Sequence, residues 1–299
     1  MMNNNIDYDT FVRNPPNPED FSNIFNDPLS DTLFSNTSSN SPIPNSFNIS
    51  SFNVNGLKTP GQGAFKVDQI SSFFSQKHIS FGGVVDTHLS PKQMKFLSKR
   101  VSDYTSFHSD LDPQKHGRSS GGVSLFVHKS LATHVQFYES HSSRILSVDL
   151  YFKGNIKLRI FVVYIPPTND MVLRNEVIDH LISLISLATT QGFYHAICGD
   201  FNMNLDKYYP IYTQQPQAAS QRVHRLFHHL LSHGYEDCTP LNLTSGLGTY
   251  HHLDTITRID FVWSYAIKPA RARQLRHDTR RVFKFDSVST EQWTVLLKN

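Results

Sequence analysis

Asp200 and Asn202 stand two residues apart in Cys198-Gly199-Asp200-Phe201-Asn202-Met203-Asn204, directly after an apolar run over 193–198. In an extended segment, residues i and i+2 point to the same side. The carboxylate and the amide can therefore address one point just past a strand end, where α/β enzymes place much of their chemistry. The same pattern also suits an Asx-turn, in which the two side chains only hydrogen-bond nearby backbone. This stretch alone leaves both readings open.

Other apolar segments carry groups of the same kind. Asn53 and Asn55 lie in FNVNGL, Asp86 ends ISFGGVV, and Asp260 sits between Ile259 and Phe261. A carboxylate buried without a partner is costly, so Asp260 needs a reason to be inside an apolar strand. Carboxylate and amide oxygens suit a hard cation such as Mg2+ (or Mn2+), which retains waters for a phosphate substrate. Such an ion polarises a phosphoryl oxygen, and the amides bond phosphate oxygens without adding negative charge. The chemistry indicated is metal-assisted phosphoester hydrolysis. The sixteen histidines, including His228, His229, His233, His251 and His252, lack the matched Cys/His spacing of a structural zinc site.

The elements that must position these groups can be read from periodicity. Phe52 and Val54 alternate with Asn53 and Asn55, as in a strand. Val67, Ile70, Phe73 and Phe74 recur at helical spacing, and 79–85 is a short apolar strand. Further strands are expected over 121–128, 144–152 and 157–164, the last two as a hairpin around Lys153-Gly154-Asn155. Pro166-Pro167 ends that pair. A helix over 171–189, the strand 193–198, a helix over 221–233 stopped by Gly234, and a strand over 257–264 follow. Strands with few helices and several antiparallel pairs point to a layered α/β fold with mixed sheets.

Length and composition bound the rest. A chain of 299 residues can bury a substantial core. Two cysteines, Cys198 and Cys238, do not suggest a disulfide framework. No run is long and apolar enough to span a membrane, and the polar, acidic N-terminus is no ordinary signal peptide. The expected setting is intracellular, nuclear or cytoplasmic, for a monomer with no membrane partner. Residues 1–44 carry one base against six acids and are rich in Asn, Ser and Pro, so disorder is expected there. Residues 266–299 carry eight Lys/Arg against three acids, a tail or linker able to meet phosphates. The folded domain is placed at 45–265.

Six segments occur in an order that resembles a known family: NVNGL (53–57), VVDTH (84–88), SSGGVSLFV (119–127), VYIPP (163–167), CGDFNMN (198–204) and RIDFVW (258–263). Together they resemble the endonuclease/exonuclease/phosphatase superfamily, and within it the apurinic-endonuclease-like nuclease domains of non-LTR retrotransposons. The resemblance covers roughly 46–265. It implies a four-layer α/β sandwich, two packed mixed sheets flanked by helices, with the active site where strand-end loops converge and DNA as substrate. It also implies roles. Asn53, Asn55 and Asp86 would serve the metal, with Asp86 standing where the family usually has Glu. Tyr164 would contact the phosphate, Asp200 would activate water or handle the leaving-group proton, and Asn202 would orient the scissile phosphate. Asp260 would hold a catalytic histidine, and Thr249 with Tyr250 would line the DNA groove.

The family closes with a Ser-Asp-His strand, whose histidine contacts the phosphate and pairs with the carboxylate at Asp260. No Ser-Asp-His or Asp-His follows Asp260; His277-Asp278 has the order reversed in a polar, arginine-rich context. Loss of that closing strand would leave a neighbouring edge unpaired. It would also leave activity impaired, or a remnant that at most binds nucleic acid.

Overall fold

The computed structural model describes residues 46–112, 121–214, 224–238, 249–252, 255–265 and 284–287. The segment 1–44, His277-Asp278 and most of the basic tail lie outside them. In chain order the first half runs β1 (Ser46–Asn53), α1 (Gln62–Gln76), β2 (Phe81–Val85), α2 (Pro91–Leu97), β3 (Tyr104–His108), β4 (Val123–His128) and α3 (Lys129–Ala132). Then come β5 (Val135–Ser142), β6 (Ile145–Phe152), β7 (Ile156–Tyr164), α4 (Met171–Thr190), β8 (Tyr194–Asp200), α5 (Leu205–Gln214) and α6 (Arg225–Ser232). Five short strands complete the set: β9 (Glu236–Asp237), β10 (Tyr250–His252), β11 (Thr255–Thr257), β12 (Asp260–Tyr265) and β13 (Lys284–Ser287).

The strands form two mixed sheets, β13-β1-β2-β4-β3 and β5-β6-β7-β8-β12-β9, beside a β10-β11 ribbon. Alternation assigns each face. On β6, Leu146, Val148, Leu150 and Phe152 point into the core between the sheets, where they meet Phe47, Ile49 and Phe81 of the other sheet. On β7, Leu158, Ile160 and Val162 join them, while Phe161 and Val163 face α4 and α6. A third core, with Phe52, Phe73 and Phe74, lies under α1. Three apolar seams separate four layers, helices outside and sheets inside, as the sequence motifs imply. Close contact across a seam selects small residues: a Cβ on Gly82 would lie 2.0 Å from Phe74 Cζ.

Several expectations are refined. The helix expected around 67–74 begins at Gln62, and the one expected over 221–233 is described from Arg225, its stop Gly234 having φ 80°. Helix α2 had a legible signal, Ser90 and Gln93 forming a capping box with Pro91 at the first helical position. Strand β5 did not: as an edge strand its middle is exposed and its apolar alternation is weak. Loss of a closing strand was expected to leave some neighbouring edge unpaired, and β1 is not left so. Instead Lys284–Ser287 pairs with it in parallel, Ser46 opposite Lys284 through Ile49 opposite Ser287, so KFDS covers half of that edge. No helix among the described residues is long and apolar enough to cross a membrane.

His195 reports on the seam between the six-stranded sheet and its helices. Its Nδ1 donates to Phe193 O (3.1 Å), so Nε2 accepts from the Tyr235 hydroxyl (2.6 Å). Burial pushes this imidazole down to about 4. The unfolded chain takes up the proton first, so stability is full above the ordinary histidine range and drains as pH falls toward 4. We expect up to about 3 kcal/mol to be lost from this group between pH 7.5 and 4.5. Urea unfolding at both pH values checks it: His195→Asn, which does not titrate, should lose correspondingly less over that window.

Candidate active site

Strand register brings the singled-out residues to one edge of the sandwich. In the first sheet β1 and β2 run parallel with Asn53 opposite Val85, so Asn53 and Asp86 leave at the same end. In the second, Tyr164 is opposite Asp200 on parallel β7 and β8, and Asp260 is opposite Asp200 on antiparallel β12. β1 packs across onto β8 and β12. A hydrogen bond joins the two halves: Asn53 Nδ2 donates to Asp200 Oδ2 at 2.8 Å across 147 positions of sequence.

Each half is built on the same turn. Asn55 N–H donates to Asn53 Oδ1 (2.9 Å), and Asn202 N–H donates to Asp200 Oδ1 (2.8 Å). Both third residues are left-handed, Asn55 at φ 45° and Asn202 at φ 47°. The extended i, i+2 geometry anticipated from the sequence is therefore corrected. The strands end at Asn53 and Asp200, and the following pairs are Asx-turns in which a left-handed asparagine reverses the chain. The turn and the site, alternatives when read from sequence, are one object. Asn55 also departs from expectation: it does not share a strand face with Asn53, and it is exposed.

Asp86 and His88 are left-handed too, at φ 59° and 58°. Four of the six described non-glycine residues with positive φ thus fall at this edge, and such conformations persist only where surrounding structure over-determines them. Backbone bonds do so here: Gly56 N–H to Asp86 O (2.8 Å), Leu57 N–H to Thr87 O (2.9 Å), and Thr87 and His88 N–H to Gly122 and Gly121 O (3.0 Å each). His88, to which the sequence reading gave no role, has Nε2 2.9 Å from Asp86 Oδ1, and this hydrogen bond raises the imidazole above its ordinary range.

Tyr164 links the halves electrostatically. Burial first, then the charges of Asp86 and Asp200, raise its hydroxyl well above the ordinary tyrosine range, partly opposed by Arg144. Two carboxylates from different sheets therefore bear on one phenol. The Arg144 guanidinium lies 6.0 Å from the Tyr164 ring centroid and is held by Asp112 and by Ser143 Oγ. Asn202 Nδ2 donates to Ile165 O (2.9 Å), leaving its second N–H available. Asp200 is 2% exposed. Asp260, expected inside its strand, opens it and is half-buried. Thr249 Oγ1 accepts from the Ile259 and Asp260 N–H groups (3.1 Å each) at the start of β12. The Tyr250 side chain lies outside the described residues.

The donors fit a hard cation that keeps most of its water. Asn53 lies against Asp200, Asp86 offers a further carboxylate at the same end of its sheet, and Mg2+ commonly takes one or two carboxylates with the remainder from water and phosphate. Among the described residues no group of three or more His, Cys, Asp or Glu side chains is placed to hold a metal ion.

No protein-family model matches the chain, and no curated protein matches it in sequence. Solved structures do. The catalytic domain of Xenopus laevis APE2 is 14% identical over 72% of this chain and 81% of its own, with TM-score 0.53. The 3' phosphatase NExo from Neisseria, bound to a product DNA hairpin, is 13% identical over 78% and 96%, with TM-score 0.52. An AP endonuclease from Archaeoglobus fulgidus is 14% identical over 75% and 93%, with TM-score 0.51. With its two mixed sheets packed between helices, the chain has the endonuclease/exonuclease/phosphatase fold.

Proposed function

We propose that this protein is a divalent-metal-dependent phosphodiesterase that nicks DNA, derived from the nuclease domain of a non-LTR retroelement and slowed by loss of the terminal Ser-Asp-His. The observation that carries the reading is the 2.8 Å bond between Asn53 and Asp200, which unites two motifs on different sheets into one polar centre. DNA as substrate is supported by the product DNA hairpin in the Neisseria neighbour and by the order of the motifs; retroelement ancestry rests on the motifs alone.

In this reading Asp200, with its two oxygens oriented by Asn53 and Asn202, is the base that takes a proton from the attacking water. Asn202 offers its spare N–H to the scissile phosphate. Tyr164, kept protonated by burial and the flanking carboxylates, donates a hydrogen bond to a phosphate oxygen at neutral pH. Asp86 and Asn53 would hold Mg2+, which supplies charge compensation for the phosphoryl group. Removing a positioned acid–base group commonly costs on the order of 10²–10⁴ in rate, so the missing histidine sets the expected turnover far below that of a complete site. One observation favours a second reading, a nucleic-acid-binding remnant that does not cut: Asp86, the intended metal ligand, is already engaged by His88.

Supercoiled plasmid distinguishes them. Slow nicking in Mg2+ or Mn2+ that stops in EDTA, with a metal-induced rise in melting temperature, is the expected result. Folded protein that binds plasmid yet never nicks it in either metal would leave only the remnant.

A further inference from the structure

Two cations are buried behind this site, one in each outer helical layer. Lys66 of α1 is 6% exposed and Arg174 of α4 is 2% exposed. Each occupies the apolar stripe of its helix, Lys66 among Gly63, Val67 and Ile70, and Arg174 ahead of Val177, Ile178 and Leu181. Among the described residues neither is ion-paired with a carboxylate. Both direct terminal nitrogens to backbone carbonyls of the site loops instead, with Arg174 Nε left buried without a hydrogen-bond partner. Lys66 Nζ donates to Val54 O (2.7 Å) and Gly56 O (3.4 Å), on either side of left-handed Asn55. Arg174 donates to Pro166 O with one arm and to Asn202 O (3.1 Å) with the other, spanning the loops after β7 and β8.

We propose that Lys66 and Arg174 are positioning residues for the cleavage site, each fixing the backbone of one half of it from behind. The inference rests on the nuclease reading above and names what holds that site in shape. Packing alone does not account for these side chains, because a well-fitted apolar residue fills such a place without the cost of desolvating a charge. The cost is visible: burial lowers the pKa of both groups. The carbonyls they meet belong to turns rather than ladders, so sheet pairing does not satisfy them. A cation also suits ground behind a centre that must receive a polyanion.

Lys66→Met and Arg174→Met, compared with Lys66→Arg and Arg174→Lys, test the proposal by steady-state cleavage and amide hydrogen exchange. In Lys66→Met the Gly56 and Leu57 amides should exchange faster, and in Arg174→Met those of Ile165 and Asn202, while β6 stays protected. Cleavage kcat should fall on the order of 10²-fold, the effect of a site displaced by about 1 Å. KM should change little, and the charge-conserving variants should recover part of kcat. Wild-type kcat together with unchanged local exchange in both methionine variants overturns the proposal and leaves the nuclease reading intact. Wild-type protein that never cleaves overturns the nuclease reading and, with it, a positioning role in cleavage, an outcome distinct from normal cleavage in the methionine variants. Should a methionine variant lose protection in β6 as well, the charge-conserving variant carries the same comparison, with acceleration confined to the named amides in support and none against.

Discussion

Asp200→Ala is expected to lower the rate of plasmid nicking by about 10³-fold, the middle of the range for loss of a positioned general base. The variant removes both acceptors of the central network, leaving Asn53 Nδ2 and the Asn202 N–H without Asp200, so a control for geometry is needed. Asp200→Asn alone is not that control. Its Oδ1 can still accept from Asn202, but its Nδ2 then faces Asn53 Nδ2, donor against donor. Asn53 cannot flip to relieve this without giving up the bond its Oδ1 accepts from Asn55. The paired change Asn53→Asp with Asp200→Asn restores the Asn53–Asp200, Asn55–Asn53 and Asn202–Asp200 hydrogen bonds and moves the negative charge across the seam. It should melt like the wild type and remain as slow as Asp200→Ala. Recovery of wild-type nicking in the double variant would show that the network matters and the base at 200 does not.

Gly199→Ala should be the most destabilising small substitution at the site. Gly199 has φ 152°, and a Cβ there would lie 1.8 Å from the Val163 carbonyl oxygen and 3.0 Å from Val163 N, backbone atoms that cannot swing aside. Val163 and Gly199 are register partners on β7 and β8, one position before Tyr164 and Asp200. The methyl group forces the two strands apart just where a tyrosine and a carboxylate must stand together. We expect a loss of about 3 kcal/mol or more, a fall in Tm of roughly 6–12 °C, and slower cleavage in whatever remains folded. Gly154→Ala is the comparison. Its φ is 84° but nothing lies within 4 Å of its Cβ, so only the left-handed conformation is penalised, at about 1 kcal/mol. Equal Tm changes in the two variants would mean that the close approach at Gly199 is relieved at little cost.

The two outcomes bear on different links. The first asks whether charge at one atom drives the chemistry, the second whether a backbone contact keeps two strand ends at working distance. Both draw on the site's construction from strand ends: Asn53, Tyr164, Asp200 and Asp260 are each the terminal residue of a strand. Register fixed several bonds away therefore sets their mutual placement. An error of one residue in pairing would turn each of these side chains to the opposite face.

Most of the framework was legible from residue types alone. Alternation marked β1 and helical spacing marked α1, while β6 and β7 were readable as apolar runs because both of their faces are buried. The oxygen-bearing residues at strand ends were visible for the same reason: a carboxylate or amide stands out where everything around it is apolar. What only the tertiary structure decided are the relations that span the chain. That Asn53 meets Asp200, that Asx-turns bend both motifs back, that His88 engages Asp86, and that KFDS pairs with β1 depend on register and backbone handedness. Lys66 and Arg174 illustrate the boundary. Their burial on the inner faces of α1 and α4 and the loop carbonyls that receive them come from packing between elements, and periodicity describes only one element at a time.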